Sequence, residues 1–359
     1  MPPVAVDFRD YLPLVRQLEQ QGYIRIPIAE QTRQTLDRCF DLANRYFAQS
    51  SADKQRFARP EIVEGYRELG PEYSQVPERP DLTESFSAWN RNRERADLAG
   101  WATACPFHAA LREAGDSLEL ITRAMFKAMA ETWAPAAPEL RFYRGTYVQL
   151  NYYEPARHSR ELLQDSHEDG HLITVLRSNA PGLELDLPSG VLPIETNGND
   201  LVMMPGALLS LMTGNKIKPC YHQVRNNHRN TPRCSMMYFV NPEIDQVLKP
   251  WISNESNAGI DIIERATLDL STAEAKKFWP IYDAYQADLS NYQRQRNTTL
   301  ETFVMQDKSL TNRYAKNLAN ELLGIEEQEV KSRRKMHNAV MKALPPKKAS
   351  QYLQIEQKL

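Results

Sequence analysis

Glycine and proline are spread so unevenly along this chain that its two parts cannot share one architecture. Of 14 glycines only Gly324 lies beyond Leu270, and of 23 prolines only Pro280, Pro345 and Pro346 do. Turn-formers punctuate strands and loops, whereas a long stretch without them reads as helix. A turn-rich body followed by a helical region is therefore expected, with the boundary between Ile252 and Leu270 in the polar run from Ser253 to Gly259. Charge divides in the same way. The net −2 is the sum of 29 Lys+Arg against 36 Asp+Glu up to residue 269 and 15 against 10 from Leu270 onward.

The 359 residues suffice for roughly two domains at ~150 residues each, and 42% hydrophobic residues give ample material for a buried core. A near-neutral balance argues against a nucleic-acid binder that relies on bulk positive charge. No run of about 18 apolar residues is present, so no membrane span is expected. The start, Met1-Pro2-Pro3-Val4-Ala5-Val6-Asp7, lacks a basic segment leading into an apolar one, and secretion is not expected. Cys39, Cys105, Cys220 and Cys234 are scattered, which suggests neither a disulfide framework nor a CxxC metal site. A reduced, cytoplasmic protein is expected.

Apolar residues Phe8, Tyr11, Leu12, Val15 and Leu18 recur at helical spacing up to Gly22. Tyr23–Ile28 alternates as a short strand, and a second helix carries Leu36, Cys39, Phe40, Ala43 and Phe47. The Pro-rich segment Arg59–Pro80 reads as an extended surface loop, and residues 107–132 as a helix. After Pro138 the pattern becomes one of strands: Thr146–Tyr153, Ile173–Leu176, Gly182–Leu187, Asp200–Met204, His222–Val224 and Cys234–Val240. Short strands parted by turn signals predict an antiparallel sandwich or barrel.

The sharpest chemistry is in Ser166-His167-Glu168-Asp169 and in Tyr221-His222-Gln223-Val224. In an extended segment residues i and i+2 share a face, so His167 and Asp169 can reach one ion, which His222 can complete. Two imidazoles and a carboxylate form a facial triad that leaves positions open, an arrangement suited to non-haem Fe(II). Arg233 and Ser235 share a face by the same rule, and a guanidinium beside a hydroxyl suits a carboxylate. Asn151 and Tyr153 offer a third such pair. Singly, Arg233 is better explained as a solvated charge and Tyr153 as a half-buried aromatic. The ordered set N-x-Y, H-x-D, H, R-x-S is much harder to obtain by accident.

With these motifs, the stretch from about Tyr147 to Pro242 resembles the catalytic core of the isopenicillin N synthase-like branch of Fe(II)/2-oxoglutarate-dependent dioxygenases, most closely in Ser166–Leu176, Asp200–Met203, Leu211–Asn215 and Tyr221–Val224. Gln21–Ile24, Gly65-Tyr66 and Thr83–Phe86 resemble that family's N-terminal helical cap. The resemblance implies an α+β fold with a double-stranded β-helix, or distorted jelly-roll, core. Together with the compositional boundary, it divides the chain into a cap over 1–140, a jelly-roll core over 141–252, a linker over 253–269 and a helical region over 270–359. It further implies Fe(II) on His167, Asp169 and His222, which serve as both metal ligands and catalytic residues. The co-substrate 2-oxoglutarate would lie on Arg233 and Ser235, with Tyr153 and Asn151 assisting. His171 is expected to face the core or the substrate rather than the metal.

The implied activity is O2-dependent hydroxylation, desaturation or cyclisation of a small molecule, amino acid or peptide, in specialised metabolism, with release of succinate and CO2. One alternative is an Fe(II) oxidase or cyclase of the same family that needs no 2-oxoglutarate; another is a non-catalytic binding protein. Candidate substrate contacts are Tyr66, Arg67, Arg177 and Thr213, with Arg157 and Arg160 also in view. The partners expected are a small-molecule substrate, without nucleic acid or membrane.

In the tail, Phe278, Ile281, Tyr282 and Tyr285 form an apolar stripe, and Lys331-Ser332-Arg333-Arg334-Lys335 a basic cluster that reads as a solvated face. Phe278–Tyr282 together with Leu344-Pro345 and Tyr352–Glu356 is similar to small helical proteins of the bacterial envelope, which carry export signals. The tail is expected to pack on the barrel or to form a homodimer; the alternative is a lid or partner-docking module.

Overall fold

Amphipathic spacing builds the first elements: α1 (Leu12–Gln21), ended by Gly22 in the left-handed region, β1 (Ile24–Pro27) and α2 (Glu30–Phe47). There follow α3 (Ser51–Gln55), β2 (Ala58–Arg59), β3 (Glu64–Arg67), β4 (Glu84–Trp89), α4 (Trp101–Ala104) and the long α5 (Pro106–Trp133). Strands then dominate: β5 (Tyr147–Tyr153), β6 (Leu162–His167), β7 (Ile173–Ser178), β8 (Leu183–Leu187), β9 (Gly190–Pro193) and β10 (Asp200–Pro205). A short α6 (Ala207–Met212) precedes β11 (Tyr221–Arg225) and β12 (Arg233–Val240), and two long helices close the chain, α7 (Thr272–Met305) and α8 (Asn312–Ala343). This computed structural model describes residues 7–70, 72–75, 78–154, 160–195, 198–227, 231–243, 246–254, 262, 272–305, 312–345, 348–349 and 352.

The chain divides into two units, Met1–Ile263 and Glu264–Leu359. In the first, all strand pairs are antiparallel and form an eight-stranded sheet, β1-β10-β7-β12-β5-β4-β3-β2, and a four-stranded sheet, β6-β11-β8-β9. This is a distorted jelly roll with helices laid on one side, an α+β architecture.

Every residue of β12 is buried, because the large sheet is covered on both faces. Cys234, Met236, Tyr238 and Val240 join Leu111, Leu118 and Met125 of α5 in one core, while Met237 and Phe239 join Leu183 and Leu185 of the small sheet in another. Period-2 alternation thus separates a structural face from a face that looks into the jelly roll. β5 obeys the same division: Val148, Leu150 and Tyr152 pack on the helices, which leaves Gln149, Asn151 and Tyr153 on the inner side.

The segment Arg59–Pro80 departs from the expected surface loop. Glu64, Gly65 and Tyr66 are buried in β3, which pairs with β4 and extends the large sheet. Four residues carry too little periodicity to register, and position 65 admits only glycine, since its φ is 83° and a Cβ there would lie 1.9 Å from the Phe57 carbonyl oxygen.

In the second unit, Phe278, Tyr285, Met336, Val340, Leu344 and Tyr352 form a core of their own between α7 and α8. Pro280 lies within α7. Most of the linker expected over 253–269, together with Arg157 and residues 353–359, lies outside the described residues. No helix among the described residues is long and apolar enough to cross a membrane.

Candidate active site

His167 ends β6 and His222 stands opposite it in β11, a directly paired antiparallel position that brings the two rings to a 4.4 Å centroid separation. Asp169 follows in the turn after β6. Its Oδ1 lies 3.8 Å from His167 Nε2 and its Oδ2 3.9 Å from His222 Nε2. One donor atom from each of the three residues falls within 4.8 Å of the others, and this is the one group of His, Cys, Asp or Glu among the described residues able to hold a metal ion.

The donor chemistry fits a divalent cation. Each imidazole donates its Nδ1–H to a backbone carbonyl two residues upstream, Asp165 for His167 at 2.8 Å and Cys220 for His222 at 3.1 Å. Those bonds fix the tautomer and leave both Nε2 lone pairs facing Asp169. Burial lowers the pKa of His222, outweighing the attraction of Asp169, and so keeps the ring neutral. Burial opposes ionisation of Asp169, but His222, His171, His167 and the Thr174 hydroxyl outweigh it and hold the carboxyl below its usual range. Two neutral nitrogens and one carboxylate are the set that Fe(II) takes in such sites.

The turn bearing Asp169 is held by the start of α6. Gly206 N–H donates to Leu172 O at 3.0 Å, Ala207 N–H to Asp169 O at 2.9 Å and Leu208 N–H to His171 O at 3.2 Å. These are the unsatisfied donors of a helix N-terminus, spent on the metal loop.

Across the inner face, β12 sets Arg233 opposite Tyr153 and Ser235 opposite Asn151, while β7 places Ser178 opposite Ser235. Arg233 is buried. It donates to Ser235 Oγ, to Ser178 Oγ at 2.9 Å and to Pro181 O at 3.2 Å, and its guanidinium lies 5.1 Å from the Tyr153 ring centroid. Of its five N–H groups these bonds use three. The two serine hydroxyls, 3.0 Å apart, share one proton between them and leave the other to donate. Arg233 also bonds the Tyr153 side chain, which leaves one guanidinium N–H and one hydroxyl for a carboxylate that enters.

Triad, guanidinium and Ser235 open into one cavity of about 470 Å³, which Asn151, Tyr153, Arg67 and His171 also line. Its volume is in the range of small-molecule sites. His171 stands apart from the metal group: its Nδ1 is 2.8 Å from Asn241 Oδ1 and its Nε2 3.4 Å from the Tyr147 hydroxyl.

Three of the four candidate substrate contacts do not line this cavity. Tyr66 is buried against Tyr46 and bonds Glu84. Arg177 takes the helix-facing phase of β7, one residue out of register with Leu176 and Ser178, and bonds Asp37 at 2.6 Å. Thr213 is fully buried at the end of α6, its hydroxyl donating to Leu209 O at 2.9 Å. Arg160 bonds Pro80 O at 2.6 Å.

Sequence reasoning missed Thr174, Ser178 and Gln164. Thr174 and Ser178 sit at even steps along β7, so the alternation that singles out Asn151 and Tyr153 would also have found them. Gln164, which accepts from the Tyr153 hydroxyl at 2.9 Å, carried no such signal.

Residues 146–242 match the family model described as "2OG-Fe(II) oxygenase superfamily". Isopenicillin N synthase of Penicillium rubens is 31% identical over 121 residues, 32% of this chain and 36% of that protein. Gibberellin 20 oxidase 1-D of Triticum aestivum is 30% identical over 114 residues, 31% of each chain. The alignment spans about a third of the length of either relative. The solved structure of the dioxygenase for auxin oxidation 1 from Arabidopsis thaliana, in its complex with 2-oxoglutarate, shares the fold, with a TM-score of 0.58 at 16% identity over 70% of this chain and 96% of that one.

Proposed function

We propose that this chain, whose residues 146–242 belong to the 2OG-Fe(II) oxygenase superfamily, is an Fe(II)- and 2-oxoglutarate-dependent oxygenase of a small molecule. The observation that carries the reading is the placement of His167, Asp169 and His222 in the same cavity as Arg233 and Ser235. His167, Asp169 and His222 would hold the metal, and Arg233 with Ser235 the distal carboxylate of 2-oxoglutarate. Iron so bound supplies activation of O2, coupled to conversion of 2-oxoglutarate into succinate and CO2 and to oxidation of the substrate.

The protein's own part is orientation and exclusion of water. Arg233 is desolvated, which strengthens each bond it gives to a carboxylate. The Tyr153 ring against it restrains the guanidinium, and the Tyr153 hydroxyl is itself anchored on Gln164. Asn151 accepts from Gln149 at 2.8 Å through its carbonyl oxygen and bonds the Tyr153 side chain, so it steadies the residue that packs on Arg233. Hydroxylation, desaturation or cyclisation of an amino acid, peptide or specialised metabolite in the cytoplasm fits this assignment.

A reading without 2-oxoglutarate is favoured by one observation, the 31% identity to isopenicillin N synthase. There Arg233 and Ser235 would take a carboxylate of the substrate instead. Succinate release separates the two. Aerobic turnover should yield succinate in an iron-dependent way and lose it in His222→Ala; substrate oxidation without succinate would favour the second reading.

A further inference from the structure

One carboxylate of the cavity has an oxygen that no described residue partners. Asp81 lines the cavity at 3% exposure, and its Oδ1 has no hydrogen-bond partner among the described residues. Its other oxygen accepts from the Ser74 hydroxyl at 2.8 Å and from Gln164 Nε2 at 3.3 Å, so the group is held by one edge. The remaining acids of the cavity have partners. Asp169 faces the imidazoles, Glu72 is 2.6 Å from Arg67, and Glu168 bonds Tyr221. No arginine or lysine pairs with Asp81 among the described residues. Burial pushes its pKa up and the Glu72 carboxylate adds to that, against the bonds from the Ser74 side chain and backbone and the attraction of His167; the Asp81 N–H donates to Glu72 O at 2.9 Å and joins the two segments.

A buried carboxylate with an unused oxygen is costly unless something pairs with it. Charge bookkeeping points to what that is. Iron and Asp169, Arg233 and 2-oxoglutarate together sum to neutral, and Arg67 offsets Glu72. Among the groups of the cavity two negative charges are left over, Asp81 and Glu168, and Asp81 is the more deeply buried. We propose that Asp81, with Glu72 beside it, receives the protonated amine of the substrate, so that the oxygenase acts on small molecules carrying a primary or secondary amino group. This rests on the oxygenase reading above.

The test uses full-length protein loaded anaerobically with Mn(II) and 2-oxoglutarate, whose binding is first measured by calorimetry. Tyramine, putrescine and lysine are then titrated beside their N-acetylated forms, into wild type and Asp81→Asn. At least one free amine should bind wild type, its N-acetylated form should bind at least tenfold more weakly, and Asp81→Asn should lower the amine's affinity roughly ten- to hundredfold while leaving 2-oxoglutarate binding unchanged. Equal binding of free and acetylated amines, or no amine binding in the millimolar range, overturns the proposal without reference to the variant. Loss of 2-oxoglutarate binding in Asp81→Asn also overturns it, since Asp81 would then serve the co-substrate through Gln164 and Tyr153. Failure of wild type to bind Mn(II) and 2-oxoglutarate at all instead sinks the oxygenase reading.

Discussion

The carbonyls that orient the metal-facing imidazoles belong to Asp165 and Cys220, and each lies two residues upstream of its histidine. The third donor is oriented differently, by the Thr174 hydroxyl on Asp169 Oδ2. Partners of this kind are worth about 10–100-fold in metal affinity. Thr174→Val should therefore weaken Fe(II) binding by about that factor, as measured by competition with a chelator, without loss of the fold. An unchanged affinity would mean that Asp169 is held by its backbone alone. At Arg233, truncation leaves the 2-oxoglutarate carboxylate without its buried counter-charge, a loss of about 2–5 kcal/mol. Arg233→Ala should raise the 2-oxoglutarate requirement steeply while retaining iron. Equal loss of both would place Arg233 in the support of the metal site. The pairs Arg233/Ser235 and Asn151/Tyr153 were legible because each obeys the period of a strand, whereas Asp169 lies past the end of β6 and was marked by the H-x-D spacing alone. Arg177 was misplaced for the same physical reason, since an arginine beside that pattern can belong to either face and only the register decides.

At the scale of elements, the N-terminus of α6 clamps the metal loop. A Cβ on Gly206 would stand 2.1 Å from His171 O and 2.8 Å from Asp169 O. Gly206→Ala must displace that loop, so it should destabilise the protein by about 1–3 kcal/mol and weaken metal binding together. Thermal unfolding and a metal titration read the two effects; a change in stability alone would show that the loop moves without carrying Asp169.

A second joint ties β3 to α5. Glu64 is fully buried; it accepts from Arg112 at 2.6 Å, Asn92 at 2.8 Å and the Trp89 N–H at 2.9 Å, and lies 3.1 Å from His108 Nε2. Burial opposes its ionisation, but these partners outweigh it and its pKa falls below the ordinary 4.5. A carboxylate depressed by folding gives stability that is present above its unfolded pKa and lost as pH falls through the folded value. The protein should accordingly lose stability below about pH 4.5. Glu64→Gln should cost about 3–5 kcal/mol at neutral pH and flatten that acid limb in denaturant melts; an acid limb unaltered in the variant would assign it to other carboxylates. None of this joint was legible in the sequence. β3 is four residues long and its first three are buried in succession, so hydrophobic alternation had nothing to mark.

For the molecule as a whole, the uneven glycines and prolines and the opposed charges of its two parts correspond to different kinds of construction. The turn-rich part is a two-sheet jelly roll in which the outer face of one sheet is covered by helices and the inner face is left for chemistry. The turn-poor part is a helical pair with its own aromatic core. The central claim concerns the first: that one cavity binds Fe(II) and 2-oxoglutarate together. The most direct measurement is an anaerobic calorimetric titration of 2-oxoglutarate into the protein with and without Fe(II), with His222→Ala beside it. The account predicts one 2-oxoglutarate per chain, bound tightly only when iron is present and His222 intact. Saturable iron binding with no 2-oxoglutarate taken up, in wild type, would contradict it.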